Sequence, residues 1–109
     1  MLVRFLTLAQ QEVDEAFRWF EEQSVGTGLE FLDELDRGVR LIRSFPFAAL
    51  EIESGIRKIL LARFPYALVY GVDKETIVVI AVAHTHRQPR YWVDRSQVIS
   101  EINCSQKNR

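Results

Sequence analysis

Apolar residues recur every three or four positions through the first forty-odd residues, and from Ala49 onward the repeat shortens to two. The change of period divides the chain into a helical half and a strand half. The opening stretch through Leu8 is rich in β-branched and aromatic residues and predicts a short strand. Thr7 is then placed to N-cap a helix, with Gln10 completing a capping box. Ala9, Val13, Ala16, Phe17 and Phe20 follow at helical spacing, so an amphipathic helix is expected to about Gln23. Trp19 falls off that stripe and is expected to be partly buried against a neighbouring element. Gly26-Thr27-Gly28 lets the chain reverse. A second helix from about Leu29 to Ser44 carries Leu32, Leu35, Val39 and Ile42 on one face, and Phe45-Pro46 stops it.

Leu50 and Ile52 begin the strand half, and Ser54-Gly55 makes a tight turn. Strands are expected at Ile56–Phe64, Tyr66–Val72 and Thr76–His84, joined by connections short enough to make neighbours antiparallel. Arg57, Ile59, Leu61 and Arg63 would share one face of the first of these. Charge and apolar residues mix on both its faces, so the pattern alone does not say which face meets the helices. A short helix is expected between Trp92 and Ile102, followed by a frayed end from Asn103 to Arg109. The reading is therefore α+β: an N-terminal strand, and a two-helix hairpin packed on an antiparallel sheet, with a short C-terminal helix or tail. Residues 1–95 form the domain and 96–109 a C-terminal extension.

A length of 109 residues with 48% hydrophobic content is enough for one core and leaves no room for a second domain. Charge adds a distinction that the near-neutral total hides. Residues 1–55 carry five Arg against eleven acids, a net of −6, whereas residues 56–109 carry nine cations against four acids, a net of +5. The basic half suits an acidic or phosphate-bearing partner, although a net charge of −1 argues against general nucleic-acid binding through many phosphate contacts. Cys104 is the only cysteine, so no internal disulfide is available and a reducing compartment is expected. With no signal region or apolar run of membrane-spanning length, the expectation is a cytoplasmic protein without a membrane partner.

Candidate chemistry gathers where the apolar run Ile77–Ala83 opens into His84-Thr85-His86-Arg87-Gln88-Pro89-Arg90-Tyr91-Trp92. His84 and His86 point the same way on an extended backbone, but no third ligand has metal spacing, so neither a metal nor any cofactor is expected. One histidine would hydrogen-bond at the sheet end and the other would be exposed. Arg57, Arg63, Arg87 and Arg90 with Tyr91 and Trp92 would suit a surface that pairs with phosphates or carboxylates and stacks on flat groups. Lys58, beside Arg57, and His84 complete the expected target-binding set. Cleavage of RNA by a 2′-hydroxyl needs a base, an acid and a cation, roles that His86, Tyr91 and Arg87 would fill. The structural alternative is that Tyr91 and Trp92 fold back to plug the sheet end while the arginines bind the acidic helices. No phosphate loop, nucleophile elbow, zinc-finger spacing or carboxylate pair is present.

Several segments in this order resemble the RelE/ParE superfamily of bacterial type II toxins, the plasmid stabilisation proteins. They are Ala16–Gln23 followed by Gly26 and Gly28, Phe31–Leu35, Arg57-Lys58 with Arg63–Tyr66, and Ala81–His84 leading to Arg87–Trp92. The resemblance spans about residues 1 to 95 and implies a helical hairpin against an antiparallel sheet. It implies a co-encoded antitoxin that wraps the toxin, oligomers formed through that antitoxin, and one of two targets. RelE-like members cleave messenger RNA in the ribosome, and ParE-like members poison DNA gyrase. Tyr91 and Lys58 match residues of the nucleases. Ala67 and Thr85, however, stand where those nucleases carry arginines, with Arg87 one same-face step beyond Thr85. The departures favour a ParE-like growth inhibitor that binds its target, with the ribosome-dependent endoribonuclease as the alternative.

Overall fold

The computed structural model describes residues 1–96. Strand β1 (Leu2–Phe5) leads into helices α1 (Thr7–Gln23) and α2 (Thr27–Ser44), followed by strands β2 (Leu50–Glu53), β3 (Ile56–Leu60), β4 (Tyr66–Asp73) and β5 (Thr76–His84). The sheet order is β1-β5-β4-β3-β2. Strands β2 to β5 form the expected antiparallel meander, and β1 joins its far edge parallel to β5, from Leu2↔Thr76 to Phe5↔Val79. The sheet is thus mixed. Parallel pairing needs a crossover, and the two helices with the rest of the meander supply it.

Three local expectations are corrected. Thr7 is the first helical residue, not the cap: Leu6 holds the cap position and no side chain caps the helix. Leu6 still donates its N–H to the Val79 carbonyl at 3.0 Å while accepting from Gln10 N–H at 2.9 Å, so the chain passes directly from sheet to helix. The Gln10 side chain binds Asp14 instead of closing a box. The second helix begins at Thr27, two residues earlier than expected, because Glu21 Oε1 accepts both Gly26 N–H and Gly28 N–H, at 2.9 and 2.8 Å, and holds the first turn. Strand β3 stops at Leu60 and does not reach Phe64. Tyr66 N–H turns back onto the Phe64 carbonyl at 2.7 Å, a tight reversal around Pro65 that takes Arg63 out of the strand. Beyond Trp92, the structure has a 3-10 turn at Val93–Ser96; the remainder of the expected C-terminal helix, and Cys104, lie outside the described residues.

The helices touch closely at the start of α2. A Cβ on Gly28 would stand 2.8 Å from the Phe17 carbonyl oxygen and 2.6 Å from Glu21 Cγ, so only glycine fits there. The stripe of α1 buries Ala9, Val13 and Ala16, and α2 buries Phe31, Leu35 and Ile42. These pack on Leu68, Tyr70, Ile77, Val79 and Val82. Phe64, freed from β3, joins Phe20 and Phe31 with ring centroids 4.9 and 5.5 Å away, in edge-on contacts that aromatic quadrupoles favour.

The opposite face of the sheet is covered as well. Trp92 lies on Ile56, Val69, Val78, Ile80 and Ala81 and is 5% exposed. Covering both faces explains why β4 and β5 read as near-continuous apolar runs without alternation. Strand β5 also carries a bulge: Val69 faces Ala81 while Tyr70 faces Val79, which leaves Ile80 as the extra residue. The extra residue reverses the facing of everything after it. Val82 and His84 are thereby turned to the helix side.

A candidate target-binding cleft and the carboxylate beneath it

The C-terminal ends of β3 and β5 and the segment after β5 enclose a cleft of about 440 Å³ on the face away from the helices. Lys58 and Ala67 form one wall, and Arg87, Pro89 and Arg90 the other, with Tyr91 and Trp92 closing the base. The cleft brings together most of the residues expected to bind a target, Lys58, His84, Arg87, Arg90 and Trp92, along with Tyr91. It does not include Arg57, Arg63 or His86.

Arg57 lies on the helix side of the sheet and donates to the Phe47 and Ala49 carbonyls at 3.0 and 2.7 Å, with Glu51 at 3.7 Å. It braces the link from α2 to β2. Arg63 is exposed on the turn after β3, near the Phe64 ring. Trp92 is in the core and cannot stack on a target from that position, as the fold-back alternative anticipated. Arg90 adopts a left-handed φ of +62° and pairs with Glu53, which pins the loop over β2. Lys58 and Arg87 are exposed and make no ion pair among the described residues, so they are the cations the cleft presents.

Tyr91 is held from both sides. The Arg87 guanidinium stacks over its ring at 4.2 Å and that of Arg95 at 5.2 Å. Its hydroxyl donates to Glu12 Oε2 at 2.5 Å, while Arg95 donates to both Glu12 oxygens at 2.8 and 3.3 Å. Glu12 Oε1 accepts Val82 N–H at 3.0 Å, and Arg95 reaches the Ile80 carbonyl at 3.3 Å. The reason is topological. Strand β1 ends opposite Val79, so the next backbone groups on that edge of β5 have no partner strand, and a buried polar group needs one. Glu12 and Arg95 stand in for the missing strand. Neither was singled out from the sequence: Glu12 looks like any polar-face residue of α1, and its partners lie 70 to 83 residues away.

Burial, and then the hydrogen bond to Glu12 and its charge, push the Tyr91 phenol well above its usual value, with Arg95 and Arg87 opposing. Tyr66 is also raised, by burial and then by Glu12 and Glu15, and Tyr70 by burial against the opposing charge of Arg57. An ultraviolet titration of the folded protein is therefore expected to show little phenolate at pH 10, the ordinary tyrosine value. Folding stability from these groups is complete below about pH 10 and falls as the pH rises above it, because the unfolded chain then releases protons that the folded chain retains. Substantial ionisation at pH 10 or below in the folded state would contradict the geometry.

His84 Nδ1 accepts the His86 N–H at 3.0 Å and its ring meets Tyr66 edge-on, whereas His86 is exposed. This is the division of roles the spacing predicts. No group of three metal-ligating side chains occurs among the described residues. On the helix side, His84 and Arg87 border a second hollow of about 560 Å³ with Trp19, Phe20, Tyr66 and Glu15. Trp19 is 55% exposed at its mouth, more open than its expected partial burial. Among the described residues, no helix is long and apolar enough to cross a membrane.

Fold and cleft together describe a class: a small α+β module whose sheet end gathers the basic side chains Lys58, Arg87 and Arg90. Residues 3–89 match the ParE toxin of the type II toxin-antitoxin system parDE, and the chain belongs to that family. It is thus a toxin component, with an antitoxin as cognate partner. A solved structure of the chromosomal ParDE toxin-antitoxin system from P. aeruginosa is similar with a TM-score of 0.68 and 14% sequence identity, over 77% of this chain and 95% of that one. At that identity the likeness speaks for the fold. No curated protein sequence matches.

Proposed function

We propose that this toxin inhibits growth in the cytoplasm by occupying a macromolecular target through the Lys58–Arg87 cleft, with DNA gyrase the first target to test, and that it does not cut RNA. The observation that carries this reading is the commitment of Tyr91 to Glu12. A general acid must release its proton to the reacting group. The Tyr91 hydroxyl instead keeps its proton and donates it in a hydrogen bond to Glu12 Oε2 at 2.5 Å, in surroundings that raise the phenol further. His86 is outside the cleft, and the positions where nucleases of the superfamily carry arginines hold the buried Ala67 and the exposed Thr85. Of His86, Arg87 and Tyr91, the three residues the cleavage roles would need, Arg87 and Tyr91 are in contact, and His86 is not among the cleft residues.

Two assays on the purified protein separate the readings: supercoiling by gyrase, and cleavage of messenger RNA on programmed ribosomes. Inhibition of supercoiling without cleavage is expected. Robust ribosome-dependent cleavage that disappears in Arg87→Ala or Tyr91→Phe would overturn the proposal in favour of the endoribonuclease.

A further inference from the structure

The hollow of about 560 Å³ on the helix side plays no part in the proposed target binding, and its walls differ from those of the cleft. Four rings border it in succession. Trp19 meets Phe20 with centroids 5.2 Å apart and planes at 83°, Phe20 meets Tyr66 at 6.0 Å and 66°, and Tyr66 meets His84 at 5.2 Å and 82°. Rings inclined this steeply do not stack flat on one another; they stand as the walls of a box. Three elements bring them together. Phe20 ends the core-facing stripe of α1, and Trp19, one residue before it, is turned about 100° around the helix. Trp19 therefore reaches the mouth of the hollow, where it is 55% exposed. Tyr66 opens β4 after the reversal at Pro65, and His84, its Cα partner on β5, is on the helix side because of the bulge at Ile80. Ala16, Pro65 and Val82 complete an apolar lining. The free charge on the border is negative. Glu12 is saturated by Val82, Tyr91 and Arg95, whereas Glu15 is exposed and makes no hydrogen bond or ion pair among the described residues. The field of both carboxylates reaches the rings: after burial, Glu12 and then Glu15 raise the Tyr66 phenol. Arg87, the cation on the border, has its guanidinium over the Tyr91 ring at 4.2 Å, which belongs to the cleft.

We propose that this hollow is a binding site for a small organic cation whose head is a fully alkylated ammonium. Ring faces attract positive charge through their quadrupoles, and a box of several rings does so while offering few hydrogen-bond acceptors. A primary ammonium brings three N–H donors and a tightly held hydration shell, which the rings and one exposed carboxylate would leave unmet. A quaternary head has no donors to satisfy, and its methyl groups suit the apolar lining. Glu15 supplies the counter-charge. An anion would be opposed by that carboxylate, and a neutral ligand would gain nothing from it. The volume lies within the range of about 300–1,000 Å³ that small-molecule sites span, which admits a whole ligand and not only one side chain of a protein.

The test needs neither antitoxin nor target. The full chain is titrated with choline at constant ionic strength and followed by heteronuclear NMR. Its two tryptophans give a reporter and a reference, Trp19 in the hollow and Trp92 in the core. Saturable binding in the millimolar range is expected, with the Trp19 indole resonance shifting and that of Trp92 unmoved. The neutral alcohol of choline's shape, dimethylbutanol with carbon in place of the nitrogen, should bind at least tenfold more weakly. Trp19→Leu keeps apolar bulk without the ring and should lose at least tenfold in choline affinity. Glu15→Gln should lose less, and both variants should keep the melting temperature because both positions are exposed. An unsaturating response, or equal binding of the neutral alcohol, overturns the proposal. Unchanged choline affinity in both variants overturns the placement of the site. Tighter binding of acetyl-lysine amide, with its free side-chain ammonium, than of choline overturns the ligand class in favour of a lysine side chain from a protein partner.

Discussion

Replacing Glu12 with Ala should cost about 3–5 kcal/mol of folding stability, the range for breaking a buried ion pair by removing one partner. The Glu12 and Arg95 side chains are 11% and 15% exposed, so water cannot replace the lost contact. Three donors lose their acceptor together: Val82 N–H, the Tyr91 hydroxyl and the Arg95 guanidinium. For a domain of this size, the loss corresponds to a drop in Tm of about 15 °C or more. Denaturant unfolding of Glu12→Ala and Glu12→Gln would measure it. Gln retains a carbonyl oxygen for Val82 but no charge for Arg95, and should fall between Ala and the wild type. A loss below about 1 kcal/mol in Glu12→Ala would show that the network is peripheral. Because Tyr91 and Arg95 hold the segment that closes the cleft, the same variant should also weaken toxicity, through position and not through direct contact.

Reversing the two unpaired cations, Lys58→Glu with Arg87→Glu, should abolish growth inhibition while leaving the fold intact. Contacts that dominate an interface are worth about 2 kcal/mol or more each, so losing two corresponds to about a thousand-fold in target affinity. Stability should change by no more than about 1 kcal/mol, since both side chains are exposed and only the Arg87–Tyr91 stacking is given up. Thermal melts beside a growth assay and gyrase inhibition would check the pair. Undiminished toxicity with an unchanged melt would mean that the target meets another face. Arg57→Ala should behave differently, lowering stability before activity, because Arg57 holds the Phe47 and Ala49 carbonyls together.

What the sequence by itself determined is whatever depends on neighbours within a few positions. The stripe from Ala9 to Ala16, the glycine reversal at Gly26–Gly28 and the 3.6-to-2 change of period near Ala49 each state a local preference that the packed protein keeps. The same locality made the cationic cluster after Ala83 visible. Tertiary structure decided what depends on long-range closure: the parallel seat of β1 beside β5, the bulge at Ile80 that turns His84 to the helix side, and the burial of Trp92. It also decided the role of Glu12. A carboxylate on a helix face has no sequence mark of a missing strand, because the unpaired groups it satisfies exist only after β1 has ended opposite Val79 and α1 has crossed that edge.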